Sequence, residues 1–289
     1  MLVSPGSYAP WSRGMPALAA VLLVACGPPP ADLRPPRFDI HQVASRELLR
    51  EANHGRSIEG PDGSFVIPKG VRRVWIDVGA HLLETTRPSL MHKKDLALIA
   101  VEPLAECWKQ WPDHERLIAL PIAISLERGS MDFNVNAFND TSSLLKSAQG
   151  TELDRLTRTV EVRKVPVLRL EDVLARIPPE VDVEYVKTDV QGVDLQVLKS
   201  AGEQLRRVER VRAEVINARI YEGSGDMRPG TEGEFVVYMA SMGFELLGDD
   251  AVYMDRAWLD KDFVNPRRAK PQNRGWLARA QARIRSWLP

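Results

Sequence analysis

The sequence has 289 residues, 44% hydrophobic and 27% charged, which excludes an extended disordered chain and is enough for one large core without disulfide or metal staples. Lys plus Arg and Asp plus Glu both number 39, so the chain as a whole has no field to hold a polyanion, and nucleic acid is excluded as an expected partner. Two cysteines, Cys26 and Cys107, exclude a disulfide framework and show no zinc-ligand spacing with the five histidines, so no metal is expected.

Four stretches are predicted in chain order: a segment over 1–30, a linker and lead-in helix over 31–63, a folded domain over 64–258 and a basic tail over 259–289. In the first, MPALAAVLLVA at 15–25 is an apolar run after Arg13, shorter than the about 20 residues a membrane-spanning helix needs. A basic start and a short apolar run predict a secretory signal. LVAC at 23–26 also resembles the bacterial lipobox, which implies that Cys26 is lipid-modified, with GPPPADLRPP behind it as a stiff tether. The other reading is a buried or disordered apolar N-terminus. HQVASRELLREANH at 41–54 predicts the lead-in helix.

The folded stretch alternates short Val- and Ile-rich runs with segments of helical spacing. Strands are predicted at 71–78, 96–101, 117–124, 183–190 and 208–216, with near-continuous apolar character that implies cover on both faces. Leu170, Val173, Leu174 and Ile177 mark one helix face, and Val193, Val197, Leu198 and Ala201 another. Right-handed crossovers then build an α/β doubly wound, mostly parallel sheet. MDFNVNAF at 131–138 and TVEVRKVPVL at 159–168 alternate with period two and predict an inserted antiparallel pair. FELLGDDAVYMD at 244–255 predicts a closing antiparallel hairpin turning at Gly248-Asp249-Asp250.

The tail from Pro266 carries seven Lys and Arg residues and no acidic one. As a helix it would align Trp276, Leu277, Ala280, Ile284, Trp287 and Leu288 on one face. It reads either as an interfacial membrane helix or as a terminal helix docked on the domain. A membrane surface is therefore a candidate partner through this tail or through lipidated Cys26.

In a wound sheet, ligands bind outside the carboxyl ends of the strands. Asp77 and Gly79 stand at one such end, where a glycine lets the backbone turn toward a ligand. Glu102, 25 residues further on, is placed to accept both hydroxyls of a ribose, or else to neighbour the cap of a helix starting at Pro103. Asp189 and Asp194 interrupt the apolar character of a third strand end; both also suit the start of the following helix.

Taken in order, IDVGA, VEP, NDTSSLL, VPVLRLEDVL, VKTDVQGVDLQVLKSA, VRAEVI and YEG resemble the FkbM-type methyltransferase family over about Val71 to Gly248. The resemblance implies a class I, Rossmann-like fold of seven strands and a methyl transfer from S-adenosylmethionine, commonly to a hydroxyl of a sugar, polyketide or other small molecule. It further implies that Asp77, Gly79, His81, Glu102, Ser142, Asp189, Gln191 and Gly192 bind the cofactor. Asn139, Thr141 and Ser143 match the same loop as Ser142, and Tyr221 and Glu222 a downstream loop of less defined role. For the proton of the acceptor hydroxyl, Asp189 is the first candidate base, Glu214 the second and His81 the third. Two positions depart from the family's D-x-G-A-N-x-G: His81 and Leu83 stand where asparagine and glycine are usual. Leu83 puts a side chain where close backbone approach normally requires none. That departure supports a second reading, a methyltransferase-like binding module without catalysis, tethered by lipid. Because S-adenosylmethionine is kept in the cytosol, the enzymatic reading points to the cytoplasm, and the alternative is a membrane-anchored lipoprotein through Cys26.

Overall fold

The computed structural model describes residues 38–151, 153–253 and 258–270. The lipobox segment with Cys26 and the amphipathic face of the tail lie outside the described residues. Among the described residues, no helix is long and apolar enough to cross a membrane.

The lead-in helix α1 (Arg46–Ala52) is capped by Ser45, whose hydroxyl accepts the Leu48 N–H. Then follow β1 (Arg73–Val78), α2 (Arg87–His92), β2 (Leu96–Val101), α3 (Ala105–Trp108) and β3 (Leu117–Leu120). An insert holds β4 (Ala123–Ile124), β5 (Gly129–Asn136), β6 (Lys146–Ser147), α4 (Asp154–Thr157) and β7 (Thr159–Leu168). The wound order resumes with α5 (Leu170–Arg176), β8 (Asp182–Thr188), α6 (Asp194–Ser200), β9 (Val208–Ile216), β10 (Tyr221–Glu222), α7 (Glu232–Ser241), β11 (Glu245–Tyr253) and β12 (Trp258–Val264).

Seven strands form one sheet in the order β11-β12-β9-β8-β1-β2-β3. All pairings from β9 to β3 are parallel, and β12 alone runs antiparallel, between β9 and β11. Strand alternation sends successive side chains to opposite faces. Val74, Ile76 and Val78 of β1 and Ala97, Ile99 and Val101 of β2 enter the core under α5 and α6, together with Leu174 and Leu198. Trp75, Leu96, Leu98 and Ala100 enter the opposite core, with Leu90, Trp108 and Trp111. Both faces of the central strands are covered, which is why their sequences read as unbroken apolar runs.

The expected pair at 131–138 and 159–168 forms as β5 and β7, antiparallel from Gly129↔Val167 to Asn136↔Thr159. The run at 117–124 divides: β3 stays in the main sheet, and β4 leaves it to pair with β7. Two expectations at the C-terminal end are corrected. Gly248-Asp249-Asp250 makes no turn; β11 continues through it, with register irregularities between Leu246 and Gly248 and between Asp249 and Ala251 that absorb the extra residues. The boundary at 258 also fails, because Trp258–Val264 is the antiparallel strand β12. Its charges concealed it: buried Lys261 pairs with Glu232 at 2.8 Å, and Arg212 holds Asp262 at 2.6 Å.

Candidate active site

The carboxyl ends of β1, β2 and β8 open onto one cleft, whose third wall comes from the insert. Its lining includes Gly79, His81, Glu102, Asn139, Asp140, Ser142 and Asp189 among apolar residues such as Val101, Leu104, Ile122 and Phe133. Its cavity volume is about 50 Å³, and it opens to solvent at its mouth. Glu102 and Asp189, expected at separate strand ends, thus meet in one crevice.

Gly79 shows why the first loop needs a glycine. Its φ is +77°, and a Cβ built on it would overlap the carbonyl oxygen of Asp189 and stand 2.8 Å from that carbonyl carbon. The β1 loop and the β8 loop are therefore in backbone contact. The Gly79 and Ala80 N–H groups donate to Val101 O at 3.0 and 3.1 Å, which ties the same loop to β2.

Asp77 is buried and faces inward, away from the lining of the cleft. It accepts from Thr86 Oγ1 at 2.6 Å and from Lys187 Nζ at 3.3 Å. Thr86, the residue before α2, makes no side-chain cap and donates to Asp77 across the loop instead. Lys187 also lies 3.3 Å from Asp189. Burial opposes its charge, yet the two carboxylates outweigh burial and hold its pKa above the usual lysine value. Lys187 is the residue that reasoning from sequence passed over; the available signal was a lysine in an otherwise apolar strand.

Glu102 accepts the His81 N–H at 3.1 Å on one oxygen and the Leu104 N–H at 2.9 Å on the other. Burial pushes its pKa up to about 7, against the pull of those two hydrogen bonds. Glu102 thus supports the turn into α3 and also lines the cleft.

His81 adopts φ +43°, with its ring between Glu84 (Nδ1 to Oε1, 3.0 Å) and Asn139 (Nε2 to Oδ1, 3.2 Å). It is therefore a strap from the first loop to the insert and not a free loop histidine. Leu83 keeps the left-handed backbone, φ +65°, that favours glycine, and its side chain is wholly buried with Leu90, Trp108 and Trp111, outside the cleft. The backbone strain costs roughly 1–2 kcal/mol. Burial of a leucine returns roughly 1.5–3 kcal/mol. The departure at 83 is thus absorbed by the core and leaves the cleft open.

After β8, the alternative roles separate. Asp194, not Asp189, serves the start of α6, accepting the Val190 and Gly192 N–H groups at 3.2 and 3.3 Å. Burial and the nearby Asp189 raise its pKa to about 7. Asp189 is left facing the cleft, its side chain 37% exposed. Gln191, at φ +57°, donates from Nε2 to Asp189 at 3.1 Å and to Glu214 at 3.0 Å, while its Oε1 lies 2.8 Å from the Tyr221 hydroxyl. Its amide is fully engaged by protein, so it spaces two carboxylates. Glu214, on β9, has its pKa raised by burial and then by Asp189 and Asp194. Gly192, at φ +103°, has only side chains of Leu145, Tyr221 and Pro229 near its missing Cβ. Ser142 accepts the Asn136 N–H at 3.1 Å, leaving its proton to donate.

The order of this sheet, with one antiparallel strand inserted before the last, and a cleft at the carboxyl ends of its first, second and fourth strands define a class I, Rossmann-like methyltransferase fold. The sequence model of the family described as methyltransferase FkbM domain matches residues 77–246, and the chain belongs to that family, whose cofactor is S-adenosylmethionine. A search of curated proteins returned no match. Among solved structures, the chain is similar to a fibrillarin/Nop5p complex (14% identity, 71% of this chain and 77% of that one, TM-score 0.38). It is similar also to an antibiotic-resistance methyltransferase, Kmr (13%, 68% and 89%, TM-score 0.36). A third is the magnesium protoporphyrin IX methyltransferase of Synechocystis PCC 6803 with bound S-adenosylmethionine (9%, 68% and 72%, TM-score 0.34).

The donor set fits that cofactor. Each Glu102 oxygen accepts one backbone N–H and keeps a lone pair for a ribose hydroxyl, and Val101, Leu104 and Ile122 offer an apolar wall for a base.

Proposed function

We propose that the protein transfers a methyl group from S-adenosylmethionine to a hydroxyl oxygen of a small molecule or sugar. The observation that carries this reading is the convergence of Glu102 and Asp189 on one cleft that Leu83 does not enter. The cofactor, when bound, supplies an electrophilic methyl group. Glu102 would hold the ribose hydroxyls, and Gly79 keeps the adjoining backbone free of a side chain. His81 and Ser142 would close the cleft from the first loop and the insert.

Asp189 takes the proton of the acceptor hydroxyl. Its side chain is 37% exposed toward the cleft, and Lys187 and Gln191 fix its two oxygens. Glu214, with its raised pKa, is a stronger base than an ordinary carboxylate and is the second candidate. Methyl transfer needs in-line contact at about 3–3.5 Å, so orientation supplies much of the rate and the base about 100-fold to 10,000-fold. No observation favours the non-catalytic module.

Calorimetric titration with S-adenosylmethionine tests the cofactor part, and saturable binding is expected; none at millimolar cofactor would remove the reading. For the base, turnover on a panel of hydroxylated acceptors is expected to fall at least 100-fold in Asp189→Ala with the fold intact by circular dichroism. Unchanged turnover assigns the proton to another group.

A further inference from the structure

Seven large apolar side chains stand exposed among the described residues, and four of them fall between 138 and 162: Phe138 at 51%, Leu156 at 45%, Val160 at 53% and Val162 at 55%. Backbone hydrogen bonds gather them at one end of the insert. Phe138 N donates to Leu156 O at 3.0 Å, Ala137 N donates to Arg158 O at 2.9 Å, and β7 begins at the next residue. Val160 and Val162, two apart on that strand, share a face. The loop that follows Phe138 supplies Asn139 and Asp140 to the lining of the cleft, so this surface borders its mouth.

Two exposed arginines, Arg155 and Arg158, stand in the same segment, and neither has an ion-pair partner among the described residues. Of the nearby carboxylates, Asp154 accepts from the backbone of Gly150 and Thr151, Glu161 binds Arg163 at 2.7 Å, and Asp140 lines the cleft. We infer that this end of the insert docks on an anionic lipid surface. Apolar side chains enter the acyl boundary, and the two guanidinium groups meet the headgroups. Docking so would hold the mouth of the cleft at the bilayer. Self-association fits less well. Four half-exposed side chains offer roughly 350 Å² of apolar area, below the about 800 Å² per partner of a standard interface.

The test is co-sedimentation of the full chain with vesicles of phosphatidylcholine alone and of phosphatidylcholine mixed with phosphatidylglycerol. Binding is expected only with phosphatidylglycerol. It should fall about tenfold in Phe138→Ser/Leu156→Ser and at least as much in Arg155→Glu/Arg158→Glu. Val237→Ser, at an isolated side chain 70% exposed, should bind like the parent. Since the N-terminal segment and the basic tail are carried by every variant, equal binding by all of them overturns the assignment, as does an absence of vesicle binding. A dimer in sedimentation velocity that the Phe138/Leu156 pair abolishes also overturns it. Cofactor titration of the same variants reads the methyltransferase proposal separately.

Discussion

Gly79→Ala tests the contact that joins the two strand-end loops. The methyl group would overlap the Asp189 carbonyl oxygen and crowd its carbon at 2.8 Å, and neither atom can rotate away as the end of a side chain could. Alanine at φ +77° adds a conformational cost of about 1–2 kcal/mol. Overpacking against fixed atoms adds about 1–3 kcal/mol, so the sum is about 2–5 kcal/mol. At roughly 2–4 °C per kcal/mol for a domain of this size, the melting temperature should drop by about 4–20 °C. Gly55→Ala is the control, because it shares a positive φ, +84°, but has nothing within 4 Å of its missing Cβ. That variant should lose only the conformational part. Calorimetric binding of S-adenosylhomocysteine should weaken in Gly79→Ala and persist in Gly55→Ala. Equal melting of the two variants would refute the close-contact argument.

Glu102 gains its proton more readily folded than unfolded, with a pKa raised from 4.5 to about 7. Between those values the native state holds a proton the unfolded state lacks, so its contribution to stability falls as pH rises through that window. Glu102→Gln should flatten this segment of the melting-versus-pH curve, and a curve unchanged in shape would contradict the burial argument. Gln191→Glu sets a third carboxylate about 3 Å from Asp189 and Glu214. Its loss in melting temperature should be several degrees larger at pH 8 than at pH 5, and a pH-independent loss would count against the spacer role. Lys187→Met strands Asp77 in the interior at a cost of about 3–5 kcal/mol. Denaturant unfolding should show Asp77→Asn/Lys187→Met to be more stable than Lys187→Met alone; additive losses would mean that the pair is not coupled.

The order of strands and helices was legible in the sequence because the central strands are buried on both faces. Their apolar runs, at 74–76 and 96–101, announce themselves without reference to neighbours. The positions of Asp77, Gly79, Glu102 and Asp189 at strand ends were legible for the same reason. What tertiary structure alone decided were the partners of charged and strained groups. β12 looked like solvated tail until Glu232 and Arg212, distant in sequence, paired with its Lys261 and Asp262. Leu83 looked like an obstruction to the cofactor until the tryptophans of the opposite core enclosed it. Asp189 and Asp194 are alike as letters, yet one caps a loop and the other faces the cleft. A side chain's environment is set by elements remote along the chain, and a buried charge or a left-handed leucine is tolerable only when those elements supply its partner or its cavity.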